Sequence, residues 1–249
     1  MQNINHAYTV PVRFENTQDA PIEIVDCRPI TSQVSYPKRN NRWGDPKFPG
    51  NCDGALFRDL VLRYSPKSIA DPMAGSGTTQ DVVTDLNRET NDAIDYWCGD
   101  LSSGFNLLTM NLPGTFDLIW VHPPLWNTVR YSENVEGDLS CIDDFGDFCG
   151  ALIRCLERCA VALNPGGHLA VLVADVRRKG KYHSILRELL SADKSLGQLR
   201  SIIIKAQHRT RSLRKRYVIE DPLIQHEYCL VIKRPTTTDR AGGKDGAAG

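Results

Sequence analysis

Asp71-Pro72-Met73-Ala74-Gly75-Ser76-Gly77-Thr78-Thr79 places one carboxylate, two glycines and three hydroxyls in nine consecutive positions. Gly75 and Gly77 let the backbone turn sharply and approach a ligand closely. A helix beginning near Gly77 aims unpaired N–H groups and a positive dipole end at that ligand, which suits a carboxylate or phosphate. The string lacks the Gly-Lys-Ser/Thr of a phosphate loop and the third glycine of the dinucleotide fingerprint, so ATP and NAD are disfavoured. Fifty residues further on, Val121-His122-Pro123-Pro124-Leu125-Trp126 is an apolar strand end running into a stiff Pro-Pro loop. The two strings read as a cofactor pocket beside a substrate pocket.

The elements that must position them follow from hydrophobic spacing. Residues 1–50 are polar and irregular, with prolines at 11, 21, 29, 37, 46 and 49, and predict an arm or loops with one strand at Ile22–Val25. Leu56, Phe57, Leu60, Val61 and Tyr64 recur at helical spacing within Asp53–Tyr64. Lys67–Asp71 is a short strand entering the glycine turn, and Gly77–Leu86 starts a helix with Val82, Val83 and Leu86 on one side. Asp92–Leu101 is a second strand candidate, and Phe116–Val121 reads as a buried one. The longest helix is expected over Ile142–Leu163, on a stripe that includes Phe145, Phe148, Leu152, Leu156 and Leu163. Asn164-Pro165-Gly166-Gly167 is expected to stop it. A strand over His168–Asp175, a helix over Tyr182–Leu190 and strands at Arg200–Ala206 and Glu227–Lys233 complete the pattern. Alternation of strands and helices predicts an α/β fold, a doubly wound and mostly parallel sheet with a C-terminal antiparallel hairpin. Ligands of such sheets bind beyond the carboxyl ends of the strands, where both strings fall.

The first string resembles the S-adenosylmethionine motif of amino-group DNA methyltransferases, Asp-Pro-Phe-x-Gly-Ser-Gly-Thr, with Met73 in the Phe place. The resemblance implies a seven-stranded, Rossmann-like methyltransferase fold. It implies S-adenosyl-L-methionine as cofactor, with Asp71, Pro72, Met73, Gly75, Ser76, Gly77 and Thr78 around its methionine half. An acid at the next strand end then holds the ribose, with Asp100 the first choice and Asp95 the second. Lys47-Phe48-Pro49 resembles the segment that lines the cofactor pocket upstream of this motif, which adds Lys47 and Phe48.

In the same family a strand ends in Asp/Asn/Ser-Pro-Pro-Tyr/Phe/Trp. An adenine N6 or cytosine N4 amine is a poor nucleophile because its lone pair is delocalised into the ring. A side-chain acceptor and the carbonyl between the prolines bind both amine hydrogens and favour a tetrahedral nitrogen. The prolines fix that carbonyl's direction, and a neighbouring aromatic stacks on a base flipped out of the duplex. Here His122 stands in the acid or amide position and Leu125 where the aromatic usually is. Neutral His122 can accept a hydrogen bond through a ring nitrogen, and its protonated form cannot. Trp126 or Tyr131 is expected to replace the missing aromatic. Pro123 and Pro124 complete the catalytic set. Leu163-Asn164-Pro165-Gly166-Gly167 and His226-Glu227-Tyr228 resemble later methyltransferase segments, so the likeness runs from about residue 45 to 234.

The expected organisation is an N-terminal arm (1–44), one methyltransferase domain (45–235) and a disordered Gly/Ala-rich tail (236–249). Thirty basic residues balance thirty acidic ones, which excludes an all-over nucleic-acid coat but not a local basic face. Lys205, Arg209, Arg211, Arg214, Lys215 and Arg216 lie within twelve residues, with His208 among them and no acid. They are expected to contact DNA phosphates. Arg177, Arg178, Lys179 and Lys181 make a second basic cluster. The resemblance at 71–79 implies DNA as the partner, with target recognition expected from residues 127–141, the basic connector between the last two strands and the N-terminal arm, or from a homodimer or specificity partner. The rival readings are an RNA-base or protein-amide methyltransferase, and a catalytically weak nucleic-acid-binding protein that keeps the cofactor pocket. No Cys-x-x-Cys occurs among the eight cysteines, so no metal is expected, although Cys155 and Cys159 share helical spacing. No run approaches the roughly 18 apolar residues of a membrane span. The polar start Met1–His6 is no leader pattern, and a cytoplasmic location is expected.

Overall fold

A computed structural model describes residues 30–90, 93–133, 135–208 and 221–236. Seven strands form one sheet: β1 (Gln33–Ser35), β2 (Ser68–Asp71), β3 (Asp95–Cys98), β4 (Phe116–Val121), β5 (Leu163–Val173), β8 (Gln198–Ala206) and β9 (His226–Lys233). A separate hairpin pairs β6 (Val176–Arg178) with β7 (Lys181–His183). The helices are α1 (Ala55–Tyr64), α2 (Thr78–Thr90), α3 (Phe145–Val161), α4 (Ile185–Ser191) and α5 (Asp193–Leu196). Strand order in the sheet is β1-β8-β9-β5-β4-β2-β3, and β9 alone runs antiparallel to its neighbours. This is the doubly wound, mostly parallel, Rossmann-like sheet that the sequence pattern predicts.

Period-two alternation divides the core. Leu118 and Trp120 of β4, Ala170 and Leu172 of β5 and Cys229 of β9 face α1 and α2. Ile119, Val121, Val171 and Leu230 face α3, whose buried stripe is Phe148, Leu152, Cys155, Leu156 and Cys159. Central strands covered on both faces are apolar over most of their length, so β4 reads Phe-Asp-Leu-Ile-Trp-Val, with Asp117 near its start accepting from Lys67 N–H at 2.9 Å. Phe57 meets Trp120 edge to face at 5.4 Å, and both are buried. Each such side chain contributes about 1.5–3 kcal/mol of burial free energy.

Several boundaries differ from expectation. α3 begins at Phe145 because the Asp144 side chain accepts from Asp147 N–H at 2.9 Å, an N-cap that the hydrophobic stripe cannot show. Asn164-Pro165-Gly166-Gly167 lies within β5 rather than outside it. Gly166 N–H donates to Arg234 O and Arg234 N–H to Gly167 O, both at 2.9 Å, so the turn residues remain in the ladder. A Cβ at Gly167 would meet three carbonyl oxygens at 2.9–3.0 Å, which explains why glycine stands there. The helix expected from Tyr182 starts at Ile185. Tyr182 is instead in β7, its hydroxyl donating to Asp175 Oδ2 at 2.7 Å, and Ser184 caps the helix. Lys179 and Gly180 turn that hairpin at φ 50° and 76°.

The expected strand at Ile22–Val25 and tail positions 237–249 lie outside the described residues. β1, which the proline-rich composition concealed, pairs parallel with β8 at the sheet edge. Residues 30–44 pack on the domain: Tyr36 hydroxyl donates to Asp59 at 2.6 Å and Trp43 Nε1–H to Asp85 at 2.8 Å. Among the described residues, no helix is long and apolar enough to cross a membrane. Likewise, no group of three His, Cys, Asp or Glu side chains has an arrangement that would hold a metal ion.

Candidate active site

β2 delivers Asp71 to the carboxyl edge of the sheet, where the chain reverses into α2. Asp71 Oδ1 accepts from Met73 N–H at 3.1 Å and Oδ2 from Thr79 Oγ1 at 2.5 Å, so its carboxylate ties the turn to the helix it starts. Gly75 and Gly77 adopt φ 52° and 80°, the left-handed conformation that glycine accepts without strain. From the next strand end, Asp100 Oδ2 accepts Gly75 N–H at 3.1 Å, while Oδ1 accepts Ser102 N–H at 3.0 Å. Burial pushes the Asp71 carboxyl up to about 7, against the pull of its hydrogen bonds from Thr79 and Met73, and nearby Asp100 adds to the rise. The buried Ser76 hydroxyl has no hydrogen-bond partner.

These groups line a cavity of about 410 Å³, within the usual size for small-molecule sites. Asp71, Pro72, Met73, Gly75, Ser76, Thr78, Asp100 and Phe48 all border it. Gly77 shapes the turn without lining the cavity, its N–H donating to Ala74 O at 2.9 Å. Lys47 is exposed and lies outside the lining, because its backbone is folded onto the Asp45 side chain. Asp95 opens β3 at the opposite edge of the sheet, which leaves Asp100 as the acid beside the turn. Phe48 faces Gly75, where an added Cβ would come within 3.2 Å of its ring.

His122, Pro123 and Pro124 open onto the same cavity from the end of β4. Burial lowers the His122 pKa below the ordinary histidine value; Glu227 and Asp53 oppose this, and Lys205 adds to it. A neutral ring, able to accept a hydrogen bond, is the consequence near pH 7. Tyr131 borders the mouth, stacked on Phe48 at 5.7 Å between centroids, with its hydroxyl donating to Pro49 O at 2.9 Å.

Trp126 does not face the cavity, which corrects its assignment as a base-stacking surface. It is 6% exposed, with its ring against Phe145 at 5.3 Å and its Nε1–H donating to Ile142 O at 3.0 Å. The Arg178 guanidinium lies 5.2 Å from the indole centroid. Trp126 holds φ 52°, a conformation that bulky residues adopt only where packing enforces it. It anchors the Pro-Pro loop from behind.

Lys205 likewise leaves the expected phosphate-binding set. It is 5% exposed on β8 and pairs with Asp53 at 2.8 Å and Glu227 at 2.9 Å, so solvent and phosphates do not reach it. His208 is exposed, with Nε2 2.9 Å from Ser35 Oγ. Arg209, Arg211, Arg214, Lys215 and Arg216 lie outside the described residues. The cavity also takes in Asn51, Cys52, Asn106, Ser132 and Asp138, which the sequence reading missed. All five come from irregular segments without periodicity; Asn51-Cys52 directly follows Lys47-Phe48-Pro49, and Ser132 and Asp138 fall in the stretch 127–141 expected to serve target recognition.

No family model matches the sequence, and no curated protein matches it. Solved structures do resemble it. A class I S-adenosylmethionine-dependent methyltransferase candidate from Listeria monocytogenes is 16% identical over 74% of this chain and 59% of its own, with a TM-score of 0.48. A candidate DNA modification methylase from Thermus thermophilus, solved with S-adenosyl-L-methionine, is 20% identical over 68% and 55%, with a TM-score of 0.37. An S-adenosylmethionine-dependent methyltransferase from Clostridium acetobutylicum is 11% identical over 72% and 89%, with a TM-score of 0.39. The chain thus spans 55% of the length of the Thermus protein and 59% of the Listeria one.

Proposed function

We propose that this protein transfers a methyl group from S-adenosyl-L-methionine to the exocyclic amine of a DNA base, adenine N6 or cytosine N4. The observation that carries the reading is that the glycine turn and the His122-Pro123-Pro124 loop border one cavity. The residues present fit the cofactor. Ser76 offers a buried hydroxyl with no partner, Asp71 a carboxyl that a nearby cation would ionise, and Gly75 a backbone without Cβ. Asp100, on the cavity wall beside the turn, is the acid we assign to the ribose hydroxyls.

When bound, S-adenosylmethionine supplies an electrophilic methyl on a sulfonium. The chain must then hold an amine beside it with the lone pair aimed inward. The Pro123 carbonyl and a ring nitrogen of His122 accept the two amine hydrogens. Phe48 and Tyr131, stacked on each other, form an aromatic wall of the cavity. Tyr131, 40% exposed, is the stacking surface for the flipped base.

Nucleic acid is favoured by the β6–β7 hairpin. Arg178 fastens it to the Pro-Pro loop through Asn127, and Lys179 and Lys181 are exposed at its tip. Incubation with labelled cofactor and DNA, RNA or protein, followed by nucleoside mass spectrometry, tests the assignment. N6-methyladenine or N4-methylcytosine in DNA supports it. Label confined to RNA or protein, or cofactor binding without transfer, overturns it. His122→Ala should abolish turnover and largely spare cofactor affinity, a loss on the order of 10²–10⁴-fold if the ring acts as acceptor.

A further inference from the structure

On the sheet face shared with α1 and α2 lies a buried charge cluster. Lys205 lies between Asp53 and Glu227, and the three side chains are 6%, 16% and 9% exposed. One ammonium and two carboxylates leave a net charge of minus one. Stability is a weak reason for such a group, since apolar residues of similar volume usually serve as well. Its members come from β8, β9 and the segment before α1, and Lys205 and Glu227 are directly opposed in the β8–β9 ladder.

Strand register puts His122 on the same face. Glu227 shares a face with Cys229 two residues on, and Lys205 with Ile203; both neighbours pack towards α1 and α2. His122 follows Leu118 and Trp120 of that face at two-residue steps. Val121 is level with Val171, and Val171 with Leu230, so His122 lies level with Cys229 on the far side of β5, and Glu227 is one same-face step further along β9. Among the described residues, Glu227, Lys205 and Asp53 are the charged groups that act on His122. No hydrogen bond among the described residues holds the ring, so burial and these three charges together set its protonation.

An acid or amide in this position does not become a cation when it serves as acceptor; a neutral histidine that takes a proton does. We propose that the Asp53–Lys205–Glu227 cluster is a positioning device for His122, whose net negative charge stabilises the imidazolium formed as methyl transfer releases a proton. The inference rests on the methyltransferase reading above. In the step, the amine lone pair forms the N–C bond as the C–S bond breaks and its electrons stay on sulfur. The N–H electrons return to nitrogen, and the proton passes to a His122 ring nitrogen. The positive charge of the sulfonium ends on the imidazolium, on the sheet face that carries the cluster.

The test is an NMR titration of the His122 ring, without cofactor or substrate, in the unaltered protein and in Glu227→Gln, Asp53→Asn and Lys205→Met. Losing either carboxylate should lower the His122 pKa by about 0.5 or more, and losing the ammonium should raise it. Opposite shifts from neighbouring positions are not a signature of general damage. In turnover, the acid limb of the kcat profile should move down with the ring in Glu227→Gln. The plateau should fall about 10-fold, the cofactor KM should stay within about 2-fold, and Glu227→Asp should restore most of the rate. An unmoved ring in Asp53→Asn and Glu227→Gln overturns the coupling, whatever the turnover. A moved ring with an unmoved acid limb overturns its use in catalysis. Transfer to no acceptor at all overturns the methyltransferase reading, while the titration still decides the coupling. If Glu227→Gln does not fold, Asp53→Asn decides, because asparagine keeps the acceptor for Ala55 N–H that Asp53 provides at 2.9 Å.

Discussion

Asp100 Oδ2 accepts the Gly75 amide at 3.1 Å, so the acid proposed to hold the cofactor's ribose also braces the glycine turn. Its other oxygen caps the short helical turn at Leu101–Ser103. Asp100→Ala therefore removes a cap, a turn brace and a ligand contact together. A stability loss of about 1 kcal/mol is expected from the cap. Cofactor affinity, read by calorimetry, should fall at least 10-fold, about 1.4 kcal/mol. Asp100→Asn keeps an acceptor for one amide and should recover more stability than affinity.

Asp71 makes cofactor affinity depend on pH. Its folded carboxyl titrates near 7, far above an unfolded aspartate near 3.8. Between those values the unfolded chain has released the proton and the folded chain has not. The native state therefore binds more protons, and stability falls as pH rises through that window, flattening above about 7. Urea unfolding of Asp71→Asn should lack this decline, because asparagine has no titrating carboxyl and keeps an acceptor for Met73 N–H. A cation arriving at the turn favours the ionised form, so S-adenosylmethionine should bind the unaltered protein more tightly as pH rises from 6 to 8. Equal pH slopes for the two proteins would remove Asp71 from the cofactor's charge environment.

Trp126 as a buried anchor predicts a stability phenotype that needs no substrate. Trp126→Ala should cost about 3–5 kcal/mol in urea unfolding, the usual cost of emptying a buried aromatic site. Trp126→Phe keeps the packing and loses the hydrogen bond to Ile142, with a cost of about 1 kcal/mol expected. A cost below about 1 kcal/mol for the alanine variant would return the ring to the surface.

The hairpin tip predicts the salt dependence of DNA binding. Lys179→Ala with Lys181→Ala should weaken binding to duplexes of any sequence. The slope of log K against log salt should become shallower by about 1–2, one counterion per lost phosphate contact. An unchanged slope would place the duplex elsewhere on the molecule.

Tyr131 tests the stacking surface. Tyr131→Phe loses the bond to Pro49 and keeps the ring against Phe48, so substrate KM should change little. Tyr131→Ala should raise it by roughly 5- to 100-fold, the ~1–3 kcal/mol of a base–aromatic contact. Equal KM values in the two variants would exclude ring stacking.

The glycine turn and the Pro-Pro loop were legible because their geometry is local. Two glycines, a helix start and paired prolines dictate backbone shape within a few residues, wherever the segment is placed. The strands β4, β5 and β9 were legible for a similar reason: a central strand buried on both faces is apolar over most of its length. Asp144 and Ser184 moved two helix starts because a cap is one polar residue, invisible to a hydrophobic stripe. β1 was hidden by its prolines and by a partner, β8, that follows it by more than 160 residues.

The residue types alone made Lys205 a surface cation and Trp126 a base-stacking ring. Tertiary structure assigned both to the interior, because partners from distant segments outweigh intrinsic preference. Lys205 is buried only because Asp53 and Glu227 converge on it from the start of α1 and from β9. Trp126 turns inward because Phe145, Ile142 and Arg178 offer it packing, a carbonyl and a cation at once. Sequence by itself determined the strand-turn-helix frame and the two loops that end at its carboxyl edge. Only the folded chain decided which charges stand near His122, since an electrostatic field depends on distance through space and not on separation along the chain.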